Sequence, residues 1–103
     1  MANRWRIPRE LEDAVRARDT VCIYCSVPFG GVGSPVRTRA SWEHIVNDAS
    51  IITFENIALC CRGCNASKGR RPLREWLSST YCRERGIGLE TLAFVAQDHL
   101  RTT

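Results

Sequence analysis

Two C-x-x-C pairs, Cys22 with Cys25 and Cys61 with Cys64, bracket residues 26–60, and no other feature narrows the possible folds as far. Each pair forms a tight turn that points two sulfurs the same way, so two pairs supply the four thiolates of one tetrahedral zinc. At 103 residues the chain has the length of one domain, near the size at which a hydrophobic core alone only just secures a fold. A structural zinc relieves that limit. Six cysteines would also permit disulfides, but Met1 to Arg9 is polar and basic with no apolar stretch behind it, unlike a secretory signal. The expectation is therefore a reduced, cytoplasmic protein, and no apolar run reaches the length of a membrane span. No thioredoxin-like βαβ pattern surrounds either pair, which argues against redox chemistry. Cys60 would give the looser C-x-x-x-C spacing and reads as a core thiol, and Cys82 as a semi-buried free thiol.

The remaining pattern is mixed α and β. Pro8 to Arg18 reads as a helix with Pro8 in its first turn and Leu11, Ala14, Val15 and Arg18 along one stripe. Residues 28–35, rich in Gly and Pro, are turn and loop, and lack the context of a phosphate loop. Val36 to Trp42 alternates, with Arg37 and Arg39 on the outer face of an expected strand. Ile57 to Cys60 is a second apolar run, so a hairpin with a long connection is expected. Cys64 to Lys68 is a helical turn or two ended by Gly69. Further helices are expected from Pro72, with Leu73, Trp76 and Leu77 on one face, and over Leu89 to Leu100.

The segment between the cysteine pairs, with the residue just after them, carries groups that a four-cysteine zinc does not need. Hydrolysis of a phosphodiester requires an activated water and a cation to offset charge on the phosphate and the leaving oxygen. His44 can act as general base because imidazole titrates near neutral pH. Glu43 offers a hard anionic oxygen and Asn65 a neutral one, a set suited to magnesium or manganese. Asn56 has two open roles, a hydrogen bond to the backbone or one to His44. Strict alternation sends Glu43 and His44 to opposite faces of a strand, so both serve one site only if the strand ends or bulges there.

These residues occur in a recognisable order. Cys22-Ile-Tyr-Cys25, Trp42-Glu43-His44-Ile45, Glu55-Asn56-Ile57-Ala58-Leu59 and Cys61-Arg-Gly-Cys64-Asn65-Ala-Ser-Lys68-Gly69 together resemble the zinc-stapled HNH endonucleases. The resemblance covers about residues 21–69. It implies a ββα-metal (His-Me finger) core within an α+β fold, flanked by N- and C-terminal helices. It also implies His44 as general base, Glu43 and Asn65 as ligands of the catalytic metal, and Asn56 as the structural asparagine. The family more often has Asp before the histidine and often His in the last position.

The charge agrees in kind with a nucleic-acid partner. Net charge is only +4, yet of 15 basic residues Lys68 is the one lysine, and arginine's planar fork matches phosphate. The clusters are Arg37 with Arg39, then Arg62, Arg70, Arg71 and Arg74; Arg37, Arg39, Lys68, Arg70 and Arg71 are the expected phosphate contacts. Trp5, between Arg4 and Arg6, is either an arm on nucleic acid or a disordered end. His99 reads as a solvated side chain. The expected activity is metal-dependent cleavage of DNA, double-stranded above all, by nicking or double-strand scission. The alternative is a zinc-stapled nucleic-acid-binding module with weak or no catalysis. Phosphate contacts carry no sequence information, so specificity is expected to be weak or supplied by a partner subunit.

Overall fold

The computed structural model describes residues 5–102. Its centre is a two-stranded antiparallel sheet, β1 (Ala40–His44) and β2 (Ile57–Cys61), in an unbroken register that runs from Ala40 opposite Cys61 to His44 opposite Ile57. Every residue of β2 is buried. The reason is that the sheet lies between two apolar clusters: Ile57 and Leu59 face one with Ile7 and Val15, while Ala58 and Cys60 face another with Tyr24, Ile45, Leu73 and Trp76. A continuous apolar run, rather than an alternating one, is what a strand covered on both faces requires.

Helix α1 (Arg9–Arg18) supplies the first layer. Glu10 and Glu12 lie in its first turn and Arg16 and Arg18 in its last, matching the helix dipole, and Val15 is its buried contact. Ala14, expected on the same stripe, is exposed. Its end is tied to β2, whose outer edge would otherwise be open. Arg18 Nη2 donates to the Ile57 carbonyl at 2.7 Å, the buried Asp19 carboxylate accepts from Leu59 N at 3.0 Å, and Ile23 N donates to the Leu59 carbonyl at 3.3 Å.

The second layer comes from α2 (Arg62–Lys68), α3 (Leu73–Trp76), α4 (Thr80–Arg85) and α5 (Phe94–Thr102). Gly69 ends α2 at φ 53°, a backbone that strains any side chain. Three expectations about elements are corrected. The strand expected from Val36 begins only at Ala40, because Pro35 starts a 3₁₀ turn over Val36–Thr38 in which Thr38 N and its hydroxyl both bind the Pro35 carbonyl. The helix expected from Pro72 is two short helices, since Ser79 caps a new one by accepting from Cys82 N. The last helix starts at Phe94 rather than Leu89. Thr91 closes a turn on Gly88, and Ala93 N donates to the Ile23 carbonyl instead of to a helical partner. No helix among the described residues is long and apolar enough to cross a membrane.

Candidate functional site

The four paired cysteines converge. Cys22 and Cys25 sit on the turn after α1, Cys61 ends β2 and Cys64 lies in the first turn of α2. Their Sγ atoms all lie within 4.8 Å of one another, with Cys25 and Cys61 at 3.8 Å. Sulfurs around a tetrahedral zinc are separated by about 3.8 Å, given Zn–S bonds of about 2.3 Å. The cluster can hold a metal ion, and its all-sulfur donor set suits zinc. A hydrogen bond from Cys25 brings Cys22 down to about 7, while bonds with Cys22 take Cys61 lower still and push Cys25 and Cys64 up. Four thiols this close share protons unequally, and a cation among them is what would let all four ionise. Cys60 and Cys82 are buried outside the cluster, the latter more completely than expected.

A second site lies along the open edge of β1. A cleft of about 1080 Å³ there is lined by Glu43, His44 and Asn65, with Arg16, Arg62 and Arg70 around it. The alternation problem is solved without a bulge. His44 lies on the face towards Trp5 and α1, and Glu43 on the face towards α2, but β1 stops at His44 and the cleft straddles its edge, so both faces open into it.

Each side chain is held by some of its polar atoms and leaves another unused. Asn65 Nδ2 donates to Ser41 Oγ at 3.0 Å and to the Trp42 carbonyl at 3.1 Å, so the amide oxygen is turned away from β1. Glu43 Oε2 accepts from Tyr24 at 2.7 Å and pairs with Lys68 Nζ at 3.2 Å. Oε1 has no hydrogen bond among the described residues and is not sealed from solvent. Burial pushes the Glu43 carboxyl up, and the Lys68 charge and the Tyr24 hydroxyl oppose that shift. The His44 ring packs edge-on to Trp5 with centroids 4.9 Å apart. Its Nε2 is buried without a partner; Nδ1 is not sealed off and is the nitrogen open to the cleft. Burial lowers the His44 pKa against a smaller opposing pull from Asp48, which keeps the imidazole neutral at pH 7.

Asn56 is buried and binds backbone, not His44. It accepts from Val46 N at 2.7 Å and donates to the carbonyls of Val46 (3.2 Å) and Ile51 (3.1 Å). It thereby pins both ends of the segment that follows His44. Asn56→Ala strands these three backbone groups and is expected to destabilise the fold by roughly 1–3 kcal/mol. Urea unfolding together with amide exchange at Val46 checks it; unchanged protection there would mean that water replaces the side chain.

The arginines differ from expectation. Arg70 lines the cleft, but Arg37, Arg39 and Arg71 do not; Arg39 Nη2 is 3.4 Å from the Ser34 carbonyl and Arg71 Nη2 2.8 Å from that of Ser67. Lys68 requires a correction. It is 1% exposed, with Nζ on Glu43 and on the Ile45 carbonyl at 3.0 Å, because its position on α2 points it beneath β1 rather than outward. Arg16 and Arg62 line the cleft instead. Arg62 belonged to the recognised basic cluster. Arg16 did not; its guanidinium lies 4.9 Å from the Trp42 ring centroid, a contact that needed the packing of α1 on the sheet to be known. Trp5 lines the same cleft, whereas Arg4 lies outside the described residues.

Comparison with known proteins gives one distant similarity. The chain is 32% identical over 83 residues to the CRISPR-associated endonuclease Cas9 of Corynebacterium diphtheriae, a match that covers 77% of this chain and 6% of that protein. The chain thus corresponds to a small part of its relative's length. No family model matches it, and no solved structure does.

Proposed function

We propose that this chain is a divalent-metal-dependent endonuclease domain of the HNH type, with zinc on Cys22, Cys25, Cys61 and Cys64 and a ββα-metal centre formed by β1, β2 and α2. The observation that carries this reading is that His44, Glu43 and Asn65 line one arginine-flanked cleft, each with a ring nitrogen or oxygen left unused by the hydrogen bonds that hold it. The similarity to a protein named as an endonuclease supports it. His44 takes a proton from water, the resulting hydroxide attacks phosphorus, and one phosphorus–oxygen ester bond breaks as the leaving oxygen regains a proton. Glu43 and Asn65 hold the hard cation, magnesium or manganese. When bound, that ion offsets the charge that grows on the phosphate and the leaving oxygen. Arg16, Arg62 and Arg70 draw in the DNA backbone, with double-stranded DNA as the substrate.

A second reading, a zinc-stapled nucleic-acid-binding module with an idle centre, is favoured by two observations: Lys68 pairs with Glu43, and Trp5 packs edge-on against His44. The two readings separate in a plasmid assay. The nuclease nicks or linearises supercoiled DNA when magnesium or manganese is added and stops on addition of EDTA. Binding without any cleavage across magnesium, manganese, cobalt and nickel would leave the binding module.

A further inference from the structure

We infer that Tyr24 and Lys68 form a positioning clamp on Glu43 through which the first cysteine pair sets the geometry of the hard-cation site; the inference rests on the cation site proposed above. Both residues bind the same carboxylate oxygen. The Tyr24 hydroxyl donates to Oε2 at 2.7 Å and Lys68 Nζ lies 3.2 Å from it, which leaves Oε1 for the cleft. A carboxylate held this way offers a cation one oxygen in one direction, where a free one would swing or bind through both.

Both partners of the clamp are held by their surroundings. Tyr24 is 0% exposed, its ring packs against Trp76 with centroids 5.1 Å apart, and its backbone N–H lies 3.4 Å from Cys22 Sγ. Lys68 is 1% exposed and anchored a second time by the Ile45 carbonyl, one residue beyond His44. Tyr24 lies inside the C-x-x-C turn, so an ion held by the four cysteines would fix the phenol along with the turn. A buried lysine and a buried tyrosine converging on one oxygen are costly to desolvate, and the four-cysteine cluster alone requires neither. Polar partners that orient a metal-binding carboxylate are typically worth ~10–100-fold in metal affinity.

The test uses the zinc-loaded, full-length protein without DNA and measures manganese binding by water-proton relaxation, with zinc content followed in parallel. Glu43→Gln locates the site by losing the binding. Tyr24→Phe keeps the ring and removes the donor; the expected result is manganese binding weakened roughly tenfold or more with zinc content unchanged. Manganese affinity equal to wild type, whatever happens to the melting temperature, makes Tyr24 a packing residue and overturns the clamp. Tighter binding overturns it as well, since the donors would then oppose the cation. Absence of manganese binding in the wild type overturns the cation site itself, a different failure. Should Tyr24→Phe not fold, the wild-type phenolic proton remains readable by NMR: magnesium is expected to shift it in the wild type and not in Glu43→Gln, and an unmoved resonance rejects the clamp.

Discussion

Depriving the four-cysteine cluster of the zinc proposed for it, or replacing Cys61 or Cys64 with Ser, is expected to unfold the protein rather than merely soften it. Structural zinc sites contribute apparent free energies of about 10–16 kcal/mol, as large as the whole stability of a typical domain, about 5–15 kcal/mol. The ion would join the turn after α1 to the corner where β2 runs into α2, which are otherwise held by side-chain packing and a few hydrogen bonds such as Ile23 N to the Leu59 carbonyl. Cys22 and Cys64 are completely buried beside Ile23, Tyr24 and Trp76, so losing the ion opens the larger apolar cluster directly. Circular dichroism with and without a strong zinc chelator, alongside elemental analysis, measures the effect. The control is Cys60→Ser: Cys60 is equally buried but outside the cluster, with Sγ only 3.9 Å from Ser41 Oγ. It is expected to keep its zinc and lose no more than the roughly 1–3 kcal/mol of a buried polar substitution. A chelated protein that melts like the untreated one would sink the structural role of the cluster.

Local chemistry explains which features could be read from the chain alone. The C-x-x-C spacing carries its own geometry, and the four sulfurs converge as that spacing requires. The apolar run Ile57–Cys60 and the segment Cys64–Lys68 that Gly69 terminates both form their expected elements, the strand reaching one residue further to Cys61 and the helix starting two residues earlier at Arg62. Val36 to Trp42 also alternates, but its first half lost to hydrogen bonds that proline and threonine make with their own neighbours. Alternation reports which face a residue would occupy, not whether the backbone chooses to pair.

Long-range contacts were illegible for a different reason. Lys68 reads from the sequence as a phosphate contact, and nothing in its flanking residues reveals that the end of α2 lies beneath Glu43. Tyr24 gave no functional signal, because the carboxylate it binds lies nineteen residues away. The relation of Glu43 to His44 is intermediate. The sequence shows that they lie on opposite faces, but only the cleft along the edge of β1 shows how one site can use both.

The sharpest consequence of that edge placement is expected at His44. His44→Ala should reduce metal-dependent cleavage by ~10²–10⁴-fold, the usual worth of a positioned general base, while zinc content stays at wild type and DNA affinity changes little, since the flanking arginines remain. Stability should hold or rise slightly. The imidazole carries a buried nitrogen without a partner, and its removal relieves that cost while losing the contact with Trp5. The pH profile gives an independent check. Burial places the His44 pKa below its usual 6.5, so the neutral base persists below pH 6.5; cleavage should stay level as pH falls through that value and decline only below the depressed pKa, with unit slope. The same shift makes folding lose stability on that acid side, because the unfolded chain binds the proton more readily. Cleavage assays and melts from pH 5 to 8 read both trends. A His44→Ala protein that nicks plasmid at the wild-type rate would remove His44 from the chemistry, and a decline centred above 6.5 would mean that a group other than this buried imidazole limits the rate.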